Sequence, residues 1–159
     1  MITAVDTNVL LDLLIPNTQH LAESKALLEQ AHSEGALVIS EIVYTELAAQ
    51  FSDLGELDKF LQETGITLTP YSKEALNVAA EHWKRYSRSR DHRFQCSQCG
   101  HYQEVNCSEC GALLTARQHI VPDFLIGAHA LIMTDRLLTR DRGFYRSYYR
   151  ELNLMKGSQ

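Results

Sequence analysis

Eight side chains stand out for the chemistry they offer. All four cysteines of the 159-residue chain fall in one short stretch, CSQCGHYQEVNCSECG, as Cys96, Cys99, Cys107 and Cys110. Two CxxC pairs, each followed by glycine, suit a closed four-thiolate Zn²⁺ site, because Gly100 and Gly111 permit the tight turn of a knuckle. Such a site leaves no open coordination position, so this centre is expected to be structural, with the spacer between the pairs forming a short hairpin. His92, His101 and His119 are the nearby alternatives to a thiolate. The second set is Asp6, Glu46, Asp123 and Asp141. Carboxylates crowded together repel by about 4 kcal/mol per close pair at intermediate dielectric, and a divalent cation removes that penalty. Hard oxygen ligands with retained waters are what Mg²⁺ or Mn²⁺ prefers.

The order of elements says how those acids would meet. MITAVD reads as a strand ending at Asp6, followed by a helix over TNVLLDLLIP. A helix stopped by Gly35 leads to the strand ALVIS, and Ser40 then caps the helix EIVYTELAAQFSD. The helix LGELDKFLQETG ends at Gly65 before the strand ITLTP. Ser72 caps KEALNVAAEHWKRYSRSR, and Pro122 suits the first turn of the helix DFLIGAHALIM. RLLTRD is a fourth strand, ELNLM a fifth, and KGSQ a frayed tail. Strands alternating with helices predict a parallel sheet in an α/β sandwich.

In such sheets ligands sit beyond the carboxyl ends of the strands, at the topological switch point. Asp6 ends the first strand and Asp141 the fourth, so both lie on that rim. Asp123 opens a nearly apolar helix, and Glu46 lies on a mostly apolar stretch one turn inside the Ser40-capped helix. Each acid alone has a plainer reading as a cap, a turn residue or a surface residue; the grouping of four favours a site. Asp12 and Glu41 are expected on solvated helix flanks, and Asp135 in the turn before the fourth strand.

Composition sets the frame. At 45% hydrophobic and 22% charged, the chain reads as an ordinary soluble domain. No cationic leader precedes the first apolar run and no run is long enough to span a bilayer, so a cytoplasmic protein is expected. The net charge of −5 is uneven: residues 1–80 carry 12 acids and 3 bases (−9), residues 81–159 carry 8 acids and 12 bases (+4). The basic half suggests a polyanion-facing surface. No pair of histidines stands out as an acid and base: His20, His32 and His82 lie on amphipathic helices, and His129 reads as a core residue.

The segments AVDTNVLLDLL, SEIVYTELA and VPDFLIGAHALIMTDRLLTRDRGFYR resemble, in that order, the motifs of PIN-domain ribonucleases, most closely VapC-type toxins of toxin–antitoxin pairs. The resemblance runs from residue 1 to 154 and omits the cysteine segment. It implies a PIN-like α/β/α sandwich with a small central parallel sheet over 1–154, interrupted by an inserted four-cysteine zinc ribbon over 91–119. It places the acidic metal ligands on Asp6, Glu46, Asp123 and Asp141, with Glu41 as an alternative to Glu46, and the supporting polar role on Asn8 or Thr139. It further implies Mg²⁺- or Mn²⁺-dependent hydrolysis of RNA, a homodimer, and a small antitoxin protein as partner. Lys84, Arg85, Arg88 and Arg90, with Arg140, Arg142 and Arg146, would then neutralise RNA phosphates, joined by Arg136 and Arg150, while Phe144, Tyr145, Tyr148 and Tyr149 could stack on bases or pack in the core. Two other readings stand beside the toxin: a non-toxin PIN nuclease acting in RNA processing or on DNA, and a catalytically silent RNA- or protein-binding module.

Overall fold

Four short strands form the central sheet. β1 (Ile2–Val5) lies between β2 (Ala36–Ile39) and a late strand, Arg136–Leu138, while β3 (Ile66–Leu68) adds to the far edge of β2. Every pairing in this sheet is parallel. β1, β2 and the late strand are covered on both faces, which is why they are mostly apolar rather than alternating. In chain order the late strand is β6, because β4 (Phe94–Gln95) and β5 (Tyr102–Gln103) form a separate antiparallel pair. This computed structural model describes residues 1–15, 19–89, 93–114 and 120–155. The expected tail, KGSQ, lies outside them.

Seven helices among the described residues surround the sheet: α1 (Thr7–Leu14), α2 (Leu21–Glu34), α3 (Glu41–Ala48), α4 (Leu54–Thr64), α5 (Lys73–Ser89), α6 (Val121–Met133) and α7 (Arg142–Tyr148). Their ends follow local chemistry. The Ser40 hydroxyl accepts from Val43 N–H, and the Ser72 hydroxyl from Ala75 N–H at 3.1 Å. Gly65 takes the left-handed conformation (φ 66°) that closes α4. Val5, Leu10, Leu37, Ile39, Leu47 and Leu138 are fully buried between the layers. Truncating one such leucine to alanine costs about 2–5 kcal/mol.

A second apolar cluster fixes α5, α6 and α7 against one another. The Phe124 ring on α6 meets Trp83 and Tyr86 of α5 at 5.6 and 5.4 Å, and Phe144 of α7 at 5.1 Å. Tyr149 lies on the backbone of α6, where a Cβ on Gly127 would stand 2.4 Å from its ring, and its hydroxyl donates to the Phe124 carbonyl. His129 is a core histidine as expected; Nε2 lies 3.1 Å from the Thr69 carbonyl, and burial holds its pKa below the ordinary value.

Several elements differ from the sequence reading. α3 stops at Ala48 instead of reaching Asp53, because Asp53 is used to cap α4 through Gly55 N–H at 2.9 Å. The fourth strand ends at Leu138, since the Thr139 side chain takes over the bonding of the next turn. The expected fifth strand shrinks to one parallel bridge, Leu137 to Leu154. The hairpin is not the spacer: β4 and β5 straddle the first CxxC pair, and a bridge from Asn106 to Leu113 straddles the second. Among the described residues no helix is long and apolar enough to cross a membrane.

Candidate active site

The strand order β3-β2-β1-β6 reverses direction at β1, so the switch point lies between β1 and β6. Val5 is in register with Leu138, which makes the next residues, Asp6 and Thr139, neighbours at the carboxyl edge. The Thr139 hydroxyl donates to Asp6 Oδ2 at 2.6 Å and accepts from Asn8 Nδ2 (3.2 Å) and Asp141 N–H (3.0 Å). Asn8 Nδ2 also donates to Asp6 Oδ2 at 2.8 Å, while its Oδ1 accepts from Arg140 N–H at 3.1 Å. Asn8 and Thr139, which the sequence left as alternatives, therefore belong to one network tying the end of β1 to the turn after β6.

The other acids arrive from three helices. Asp123 occupies the first turn of α6, and its Oδ2 accepts from Ile120 N–H at 2.8 Å. Asp141 caps α7 through Phe144 N–H at 3.1 Å. Glu46 of α3 accepts a short hydrogen bond from the Thr7 hydroxyl. All four line one cavity of about 470 Å³, together with Thr7, Asn8 and Tyr145. Glu41 does not line it; its carboxylate accepts from Tyr71 N–H at 3.0 and 3.3 Å.

Burial and mutual repulsion mark the acids electrically. Burial pushes the Asp6 carboxyl up to about 6, opposed by the Thr139 hydrogen bond and reinforced by the charges of Glu46, Asp141 and Asp123. Asp123 is likewise pushed to about 6, first by burial, with Asp141 and Glu46 adding to it. Burial also raises Asp141, against the Phe144 N–H that lowers it. Three carboxyl groups raised at one rim form a site that disfavours its own charge, and a divalent cation would relieve it. The donors are all hard oxygens around a space with room for an ion and its waters, which fits Mg²⁺ or Mn²⁺. Among the described residues, no three His, Cys, Asp or Glu side chains converge to ligating positions, so the carboxylates surround the cavity without closing on its centre.

Sequence reasoning missed the role of Tyr145. It is buried, its hydroxyl donates to Asp6 Oδ2 at 3.3 Å, and burial beside the acids holds its phenol well above its ordinary pKa. Stacking on bases is closed to Phe144, Tyr145 and Tyr149, all within the core. Asp12 is a correction too: it is buried rather than on a solvated flank, pairs with Arg140 Nε at 2.8 Å, and accepts from the Ser24 hydroxyl at 2.5 Å. Its carboxylate serves to hold Arg140.

The basic residues separate into groups. Arg140 is anchored by Asp12 and donates to the Asn8 carbonyl at 3.2 Å. Arg136 faces the opposite end of the sheet, bound to Glu34 at 2.6 Å and Thr3 at 2.9 Å, so it is not near the acids. Lys84, Arg85 and Arg88 are exposed toward the end of α5, with Arg85 3.6 Å from Glu81. Arg146 is exposed on α7 and Arg142 is half-buried at its start. Arg90, His92 and His119 lie outside the described residues.

The two cysteine pairs have the same local geometry. Cys96 N–H donates to the His101 carbonyl and Gly100 N–H to the Cys96 carbonyl, both at 2.8 Å; Cys107, Ala112 and Gly111 repeat the pattern at 2.8 and 2.9 Å. Gly100 (φ 78°) and Gly111 (φ 72°) supply the left-handed residue. Backbone N–H groups of Cys99 and Gln98 lower the Cys96 thiol, and those of Cys110 and Glu109 lower Cys107. The two knuckles are formed, but among the described residues their cysteines do not converge into one group of three or more, so the closed four-thiolate site that the spacing predicts is not assembled here. The first knuckle also docks on α7: Gly143 N–H donates to the Ser97 carbonyl at 3.0 Å, and a Cβ on Gly143 would lie 2.6 Å from the Cys96 carbonyl oxygen. Nothing in the spacing of the cysteines signals that contact, which lies two residues beyond Asp141.

Comparisons with known proteins bear on the family and the fold. The family model described as PIN domain matches residues 3–148. Among solved structures, VapBC2 from Rickettsia felis bound to a DNA fragment from their promoter is similar with a TM-score of 0.63 and 18% identity, covering 99% of this chain and 100% of that one. VapBC-1 from nontypeable Haemophilus influenzae is similar with a TM-score of 0.62 and 16% identity, covering 98% of each chain. At such identity these two speak for the fold alone. No curated protein matches the sequence.

Proposed function

The chain belongs to the PIN-domain family, and from that premise we propose that it is a metal-dependent endoribonuclease, the toxin of a type II toxin–antitoxin pair. The observation that carries the reading is the cavity where Asp6, Glu46, Asp123 and Asp141 meet at the switch point, with Asp6 and Asp123 pushed up to about 6. In this reading those four acids hold Mg²⁺ or Mn²⁺. Bound there, the ion supplies Lewis acidity that makes water a nucleophile near neutral pH and balances charge on the scissile phosphate.

The chain's own groups do the positioning. Thr139 and Asn8 fix the Asp6 carboxylate through two short hydrogen bonds, and Tyr145 adds a third from the core side. Thr7 orients Glu46. Phe144 N–H and Ile120 N–H aim Asp141 and Asp123 from the starts of their helices. Hydrolysis would leave a 5′-phosphate and a 3′-hydroxyl. Arg88, Arg142 and Arg146, with Lys84, Arg85 and Arg90, supply cations for flanking phosphates, whereas Arg140 acts mainly by bracing Asn8.

We further propose one structural Zn²⁺ held by Cys96, Cys99, Cys107 and Cys110, in a ribbon over 91–119 set within a PIN unit over 1–154. The matching pair of knuckles supports that assignment. A cognate antitoxin belongs to the same reading, supported by the likeness to two VapBC structures, and a homodimer is carried over from the family resemblance. The test is incubation with end-labelled RNA, with Mn²⁺ or with EDTA, comparing wild type with Asp6→Asn and Asp123→Asn. Cleavage by wild type in Mn²⁺ only, lost in both variants, supports the reading. Full activity in EDTA, or in both variants, refutes it.

A further inference from the structure

Three depressions on the active-site face share residues. Asn8 and Asp141 of the carboxylate cavity also line a neighbouring cleft of about 250 Å³, whose other walls are Ser97, Gln98 and Arg140. Gln98 and Arg140 in turn line a hollow of about 100 Å³ with His20, Glu23 and Arg142. The shared residues join the three into one trough. It runs from the carboxylates, past the first cysteine knuckle, to Arg142.

The wall at Ser97 and Gln98 belongs to the segment that the spacing of the cysteines marks only as a structural staple. Two contacts hold it beside the acids: the Ser97 carbonyl accepts from Gly143 N–H at 3.0 Å, and Gln95 Nε2 donates to the Ser147 hydroxyl at 2.7 Å. The opposite wall is equally fixed, since Arg140 is braced by Asp12 at 2.8 Å. The lining combines amide and hydroxyl groups (Asn8, Ser97, Gln98), the guanidinium groups of Arg140 and Arg142, the His20 imidazole and the carboxylates of Asp141 and Glu23, with no apolar side chain among them. Amides and hydroxyls suit base edges and 2′-hydroxyls, and the guanidinium of Arg142 suits a phosphate, while that of Arg140 is held by Asp12 and Asn8. A strand with its scissile phosphate among the carboxylates has to continue beyond them, and the trough opens at Asp141.

We propose that this trough, walled by Ser97 and Gln98 of the first knuckle, binds the nucleotides of a single RNA strand that flank the scissile phosphate, making the cysteine segment part of the substrate site. The proposal rests on the nuclease reading above. Its test uses the full, zinc-loaded chain carrying Asp6→Asn, so that RNA stays intact. The buffer holds neither added Mg²⁺ or Mn²⁺ nor a chelator, because a chelator would also strip the zinc proposed to hold the knuckle. Fluorescence anisotropy would follow a labelled single-stranded RNA of about twelve nucleotides. Gln98 is exposed, so Gln98→Ala and Gln98→Glu should leave the melting temperature unchanged. Loss of one hydrogen bond should weaken binding about threefold in Gln98→Ala, and an added carboxylate about tenfold in Gln98→Glu. Arg142→Ala should lower the slope of log affinity against log salt by about 0.7, the value for one phosphate contact on a single strand. A parent that binds no RNA, or Gln98→Glu binding as tightly as the parent, overturns the trough. Intact RNA after incubation of the unmodified chain with Mn²⁺ overturns the nuclease reading instead, and the binding comparison decides the trough independently of it.

Discussion

Asparagine in place of Asp6 tests the electrostatics of the cavity without any substrate. Asp6 is 6% exposed, and its carboxyl sits at about 6 against an ordinary 3.8. Keeping it ionised in the metal-free fold costs about 3 kcal/mol, since one pKa unit corresponds to about 1.4 kcal/mol. The folded value is raised, so the associated stability is fully present below 3.8 and lost as pH rises through about 6. Asp6→Asn removes the charge but leaves one oxygen for the donors of Asn8 and Thr139. Allowing about 1 kcal/mol for weaker hydrogen bonds leaves a gain of about 2 kcal/mol near neutral pH. For a chain of this size that raises the melting temperature by ~4–8 °C. Thermal unfolding in EDTA across about pH 4 to 8 should show the two proteins converging at the acid end and separating through pH 6. Added Mn²⁺ should reverse the order, because the intact ligand set gains binding free energy that the variant lacks. An Asn variant less stable than wild type at neutral pH in EDTA, or a difference indifferent to pH, would refute the account of a self-repelling site.

The two arginines beside Asp141 should behave differently. Arg140→Ala removes the cation facing the buried Asp12 carboxylate, leaving it the Ser24 hydroxyl, and should cost about 3 kcal/mol in denaturant unfolding, whereas Arg142→Ala should leave stability within about 0.5 kcal/mol. Gly143→Ala places a methyl group 2.6 Å from the Cys96 carbonyl oxygen and should push the knuckle off α7; steady-state kinetics on short RNA should show reduced kcat, and full activity at an unchanged melting temperature would count against that docking. Elemental analysis of the purified chain should find one zinc per chain, and Cys99→Ser should release it and lower the melting temperature; a zinc-free protein with four free thiols would remove the ribbon assignment.

Much of this site is legible in the sequence because its parts sit at element boundaries, where local chemistry governs. The strand that stops at Asp6, the Ser40 and Ser72 caps, the Gly65 stop and the apolar helix opened by Asp123 are each set by residues within a few positions. Alternation of strands and helices then places Asp6 and Asp141 on one rim, because a parallel sheet aligns the ends of its strands. What the sequence does not determine is how distant segments pack. Glu46 rather than Glu41 reaches the cavity because of how α3 rotates against the sheet, and both lie on the same short helix. Asp12 looks solvated by its neighbours, yet it is buried by the approach of Arg140 across 128 positions. Tyr145 looks like a stacking residue until α7, itself unseen in the residue pattern, folds back and turns its hydroxyl on Asp6. The knuckle's seat beside Asp141 depends on Gly143 lacking a side chain, a steric fact that exists only once the two segments meet. Hydrogen-bond chemistry at chain ends is local and can be read in order; burial and steric fit are sums over neighbours far away in sequence, and only the folded chain supplies them.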